Sequence, residues 1–138
     1  MTELQRSLVL LKPDAVRRGL AGTILGRYEA KGLNIVALEL RHVDGDLADR
    51  HYGDHVEQPW YPPLRAFITS GPTIALVLEG PEAIEVVRLM NGATNAVVAT
   101  PGTIRGDYSL SNRENLVHAS DSPESAEREI GLWFPNLV

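Results

Sequence analysis

Ser7–Asp14 reads SLVLLKPD, a continuous apolar run closed by a lysine, a proline and an aspartate. An unbroken apolar run of this length fits a strand buried on both faces, and Pro13 ends it because proline cannot donate to a strand ladder. Downstream, Leu20, Ile24, Leu25 and Tyr28 recur at helical spacing through Lys31, with Gly32 where a left-handed residue would close the helix. Leu33–Leu40 (LNIVALEL) alternates as a second strand, and Asp46–His55 and Tyr61–Ser70 read as two short helices around Pro59, Pro62 and Pro63. Thr73–Leu78 (TIALVL) is a third strand, and Pro81 is placed in the first turn of a helix over Glu82–Met90. Asn91–Glu114, rich in Gly, Thr, Asn and Arg, shows no regular element, which marks it as functional or unstructured. Leu116–His118 is a short fourth strand, and the last helix starts at Ser122 with Pro123 as its first residue and runs to about Leu132. Two βαβ units with extra helices inserted predict an α+β, ferredoxin-like fold: a four-stranded antiparallel sheet with helices packed on one face.

The chain of 138 residues is long enough for one core and too short for two typical domains, so a single domain over residues 1–138 is expected. A net charge of −5 disfavours stable binding to nucleic acid or to an anionic membrane, since both need a dominant positive field. Any anionic ligand must then be met by locally placed cations. The absence of cysteine excludes disulfides and thiolate metal sites and fits a cytoplasmic protein. Neither the opening MTELQRS nor any later run has the apolar length of a signal peptide or a membrane span.

No Walker A loop and no G-x-G-x-x-G occurs. His51 and His55 stand four apart, a spacing that puts two imidazoles on one helix face, but the intervening Tyr-Gly-Asp lacks the glutamate of a zinc hydrolase. Cations are more informative: Lys12 ends the first strand, Arg88 precedes the irregular segment, Thr94 and Arg105 lie inside it, and Asn115 and His118 close it. Three basic side chains around such a segment suit a phosphate pocket, arginine offering planar two-point contacts and lysine a point charge; each arginine could equally be solvated or paired with a carboxylate.

His118, in NLVHASDS (115–122), sits where a strand gives way to a helix, a junction that can hold a side chain firmly while leaving it accessible. A neutral imidazole is a competent nucleophile toward phosphorus if its second nitrogen is held. Glu129, about two turns into the last helix, could hold it, and Ser120 could orient that carboxylate or simply cap the helix.

The segment NLVHASDS resembles the active-site signature of the nucleoside diphosphate kinases, and the likeness continues through PESAEREIGLWFP (123–135). LVLLKPDAVRRG (8–19), HYGDH (51–55), ITSGPTIALVLEG (68–80) and PGTIRGDYSL (101–110) are also similar to family motifs, in the family's order and over nearly the whole chain. The resemblance implies transfer of the γ-phosphoryl group from a nucleoside triphosphate, typically ATP, to a nucleoside diphosphate, by a ping-pong route through a phosphohistidine on His118. It implies that Lys12 and Asn115 contact the sugar hydroxyls, with Lys12 also near the transferred phosphate. Arg88, Thr94 and Arg105 would hold phosphates, Trp60 would stack on the base, and Tyr52, Ser120 and Glu129 would support the histidine. It further implies Mg2+ carried mainly by the nucleotide phosphates rather than by protein ligands, and a homo-oligomer, hexameric or alternatively tetrameric. The chain departs from the family pattern at Trp60, where phenylalanine is usual, at Ala119, where glycine usually follows the histidine, and at Ala96, where proline is common. Against phosphotransfer stand two other readings: a module that binds nucleotide or a partner without turnover, and a metal hydrolase centred on His51 and His55.

Overall fold

The computed structural model describes residues 4–137. Four strands, β1 (Leu4–Leu11), β2 (Asn34–His42), β3 (Pro72–Pro81) and β4 (Val117–Ala119), form one sheet in the order β2-β3-β1-β4 with every pairing antiparallel. The four-stranded ferredoxin-like sheet expected from the sequence is present, and SLVLL lies in β1, one of its two interior strands. Leu8, Val9, Leu10 and Leu11 are all fully buried.

The helices are α1 (Pro13–Arg17), α2 (Ala21–Lys31), α3 (Gly45–His51), α4 (Tyr61–Ile68), α5 (Ala83–Asn91), α6 (Ile104–Tyr108) and α7 (Pro123–Trp133). They cover both faces of the sheet, not the one face expected. Val9 and Leu11 face a core with Ile24 and Tyr28 of α2, Ala83 and Val87 of α5 and Ile104 of α6. Leu8 and Leu10 face a second core with Leu47 and Ala48 of α3, Ile68 of α4 and Trp133 of α7. Successive strand residues point to opposite faces, so an unbroken apolar run is what two covered faces require.

Local expectations fared unevenly. Gly32 closes α2 with φ 109°, the left-handed conformation glycine adopts without strain. Pro13 ends a strand and also opens the short helix α1, which the sequence reading did not include. Pro81 belongs to the end of β3 rather than to a helix; α5 begins at Ala83 behind Glu82, which takes the left-handed turn at φ 52°. The predicted helix over Asp46–His55 is broken, α3 ending at His51 and a 3-10 turn covering Gly53–His55. Asn91–Glu114 holds a 3-10 turn at Ala96–Val98 and the helix α6, both too short to show periodicity. Among the described residues no helix is long and apolar enough to cross a membrane.

Helix α7 starts as expected, with the Ser122 hydroxyl accepting the Ser125 N–H at 3.1 Å and Pro123 in the first position. Replacing Ser122 with alanine should cost about 1 kcal/mol and lower the urea midpoint by roughly half a molar. Equilibrium unfolding followed by circular dichroism measures it.

Candidate active site

His118 is the middle residue of β4, paired across the sheet with Leu10, one of the five consecutive buried residues that end β1. Its Nε2 lies 2.9 Å from Glu129 Oε1, and the Ser120 hydroxyl donates to the same oxygen at 2.9 Å. Ser120 therefore orients the carboxylate rather than capping α7, a task that falls to Ser122. It also accepts the Leu8 N–H at 3.0 Å, which ties it to β1. Because an ionised carboxylate only accepts, the ring proton sits on Nε2, and Nδ1 carries the lone pair.

Around this imidazole opens a pocket of about 650 Å³ whose walls include Lys12, Trp60, Arg88, Thr94, Arg105 and Asn115. All ten residues singled out from the sequence, with His118, Tyr52 and Glu129 also on the walls and Ser120 immediately behind them, are thus brought together. Lys12 caps α1 at the end of β1, is buried, and donates from Nζ to Asn115 Oδ1 at 2.9 Å. Asn115 in turn donates from Nδ2 to the Thr94 carbonyl at 2.8 Å, which fixes the polar side of the pocket. Burial, then the nearby Arg105 charge, push the Lys12 amine down to about 8 against the opposing pull of Asp14.

Arg105 does more than line the pocket. Its guanidinium donates to the carbonyls of Asn115 (3.2 Å), Gly92 (2.8 Å) and Val117 (2.6 Å), so it braces the entry to β4 against the end of α5. Guanidinium has five N–H donors, which leaves some for a ligand. Trp60 is about half exposed at the pocket mouth, with its ring centroid 5.1 Å from that of His55. Tyr52 closes the end of α3 and meets the His51 ring edge-on at 4.6 Å.

The structure departs from the metal reading of His51 and His55. Helix α3 ends between them, and His55 pairs with Trp60. His51 is buried instead against His118, their ring centroids 4.6 Å apart, and its Nδ1 accepts the Trp133 indole N–H at 3.1 Å. Burial first, and then the charges of His118, Arg128 and Lys12, hold the His51 pKa well below the ordinary histidine value, so it is a neutral wall of the site. The sequence reading missed this role, and it also missed Arg128, whose guanidinium donates to the carbonyls of Arg50 and His51 at 3.2 Å each and so anchors the end of α3. The sequence signals for His51 were its place in HYGDH and its spacing from His55, and neither points to its partner Trp133, 82 positions away. Ala119 pairs with Val9 in the strand and is not among the residues at positive φ, so its methyl group costs no backbone strain.

His51, His118 and Glu129 form the one cluster of three or more metal-ligating side chains among the described residues, and hydrogen bonds already engage one ring nitrogen of each histidine and the Oε1 of Glu129. The remaining carboxylates on the pocket walls are Asp54 and Asp121, set among cations. Such a donor set does not cage a divalent ion, but it fits one that arrives on phosphate oxygens and keeps its waters.

A family model described as nucleoside diphosphate kinase matches residues 5–137. The chain belongs to the nucleoside diphosphate kinase family. It is 70% identical over 132 residues to a nucleoside diphosphate kinase of Nocardioides sp., covering 96% of this chain and 98% of the relative. It is 60% identical to that of Cutibacterium acnes over 138 residues and the full length of both. Among solved structures, the halophilic nucleoside diphosphate kinase from Halobacterium salinarum in complex with CDP superposes with a TM-score of 0.93 at 46% identity, over 99% of this chain and 90% of that one. As a member of the nucleoside diphosphate kinases this chain is a phosphotransferase that acts on nucleotides, and the chemistry of the family uses a divalent metal.

Proposed function

We propose that the phosphoryl group passes through His118. In the first half-reaction the Nδ1 lone pair attacks the γ-phosphorus of a nucleoside triphosphate. The bond from that phosphorus to the β-phosphate oxygen breaks, and the nucleoside diphosphate leaves with the electron pair. In the second half-reaction a β-phosphate oxygen of another diphosphate attacks the same phosphorus and restores the imidazole. The observation that carries this reading is the Nε2 contact with Glu129, which leaves Nδ1 as the available nucleophile inside a cationic pocket.

Glu129 stabilises the positive charge that develops on the ring, and Ser120 keeps the carboxylate aimed. Arg88, Thr94 and Arg105 bind the phosphates, Lys12 and Asn115 bind the sugar hydroxyls with Lys12 also facing the transferred group, and Trp60 stacks on the base. Tyr52 packs the wall beside His51 and supports the histidine through it. Mg2+ is the proposed metal; when bound it neutralises phosphate charge, and Asp54 and Asp121 are the carboxylates that would share it. Exposed Val97, Val98 and Leu110 support association into a homo-oligomer, with a hexamer proposed and a tetramer the alternative. A single domain and a cytoplasmic location complete the proposal, the latter supported by the absence of cysteine.

Labelled ATP incubated with the purified protein should leave acid-labile, alkali-stable phosphate on it, and the labelled protein should pass that phosphate to GDP. Nucleotide affinity with no label on the protein would establish the binding-module reading instead.

Activity should also report on Lys12. An amine that loses its proton near pH 8 loses its attraction for phosphate there, so kcat/KM should fall as pH rises through about 8. Lys12→Arg, which stays charged, should be less active but should lack that alkaline decline; stopped-flow exchange assays across the alkaline range give the profile.

A further inference from the structure

Leu116 is a buried, non-glycine residue at φ 75°, a left-handed conformation that costs an L-residue about 1–2 kcal/mol. It stands directly between Asn115, which binds Lys12, and the strand that carries His118. Two contacts hold it: the Lys12 N–H donates to its carbonyl at 2.8 Å, and its own N–H donates to Asp14 Oδ2 at 3.1 Å. Both come from the KPD turn, more than a hundred positions earlier in the chain.

We propose that Asp14 is a positioning residue for phosphoryl transfer: its buried carboxylate clamps the left-handed turn at Leu116 and thereby sets Asn115 and His118 in place against Lys12. The inference rests on the reading of Lys12 and His118 as working groups of one site. Placement is the first part of the role. A released Leu116 would relax toward ordinary φ, and the side chains on either side of it would turn with the backbone.

Charge is the second part. Lys12 is faced by Asp14 from α1, Arg105 from α6 and His51 from α3, with Arg88, His118 and Glu129 on other walls of the same pocket. Of these, Asp14 is the one that pulls the Lys12 amine up, against burial and Arg105. Burial raises the pKa of Asp14 itself, opposed first by Lys12 and then by the amide of Leu116. Its Oδ1 has no hydrogen-bond partner among the described residues. A buried carboxylate oxygen left bare costs stability, so its presence is better accounted for by placement and charge than by folding alone.

Asp14→Asn and Asp14→Ala separate the two parts when measured in the full chain by steady-state exchange across the neutral and alkaline range, with thermal unfolding alongside. Asparagine keeps an acceptor for the Leu116 N–H but loses the charge. Its Tm should stay near that of the wild type, and the alkaline decline of kcat/KM should move to lower pH by about one unit, since removing a negative charge favours the neutral amine. Alanine loses the clamp as well, and kcat should fall by about 100-fold with a much smaller change in KM. If alanine does not fold, the shifted pH profile of the asparagine variant carries the test. Folded variants with wild-type kcat and an unmoved alkaline decline would overturn the proposal, as would an asparagine variant no more active than alanine and unshifted in pH. Those results leave an active wild type, and so leave the phosphotransfer reading standing. An inactive wild type overturns both.

Discussion

His118→Ala is expected to lower phosphoryl exchange by at least about 10⁴-fold and to leave no acid-labile phosphate on the protein, while nucleotide still binds. The reason is that the remaining groups supply charge and placement but no alternative electron pair at the same point. His51 is the nearest rival, at 4.6 Å between ring centroids, but it is buried and its Nδ1 accepts the Trp133 indole N–H. Binding should survive because Lys12, Arg88 and Arg105 are untouched. Isothermal titration with ADP, run beside the exchange assay, separates the two effects. A variant that keeps more than a hundredth of the activity would show that the phosphoryl group does not pass through this imidazole.

Arg105→Ala should have the second largest effect, and on two quantities together. Its guanidinium donates to the carbonyls of Gly92, Asn115 and Val117, so truncation removes three hydrogen bonds at the entry to the strand that bears His118, although the Asn115 carbonyl keeps the Val117 N–H at 2.9 Å. At about 1 kcal/mol for each, the loss is roughly 3 kcal/mol, which should lower Tm by roughly 10 °C. In the assay kcat should fall by about 10²- to 10³-fold, more than KM rises, if the remaining donors act mainly on the charge of the transition state. Arg105→Lys should recover little of either, since an ammonium cannot reach three carbonyls spread over a planar fork. Differential scanning calorimetry and steady-state kinetics decide it, and an unchanged Tm would show that the brace contributes nothing.

What the sequence disclosed and what it hid follow from the distance over which each feature is determined. The strand SLVLL, the helix closed by Gly32 and the cap formed by Ser122 and Pro123 are set by neighbours within a turn or two, and they were legible. Pro81 misled because its fixed backbone angle suits a strand end as well as a helix start, and only the pairing of Leu4 with Pro81 resolves the choice. The second layer of helices was hidden because a run without alternation does not say what covers each face. At the site, His118, Glu129 and the pocket cations could be named from motif and chemistry. The tie from Asp14 to Leu116 and the indole contact of His51 join residues 102 and 82 positions apart, and no local pattern announces them.

The three-residue strand β4 lies at the outer edge of the sheet, yet its one partner is β1, whose residues Ser7, Leu8, Val9, Leu10 and Leu11 are all buried. A side chain mounted in this way is insulated from the wandering of surface loops. The His118 amide, in register with Leu10, should be slow to take up deuterium, and heating should extinguish turnover in step with the collapse of the sheet, with no earlier stage at which a folded but misaligned enzyme accumulates.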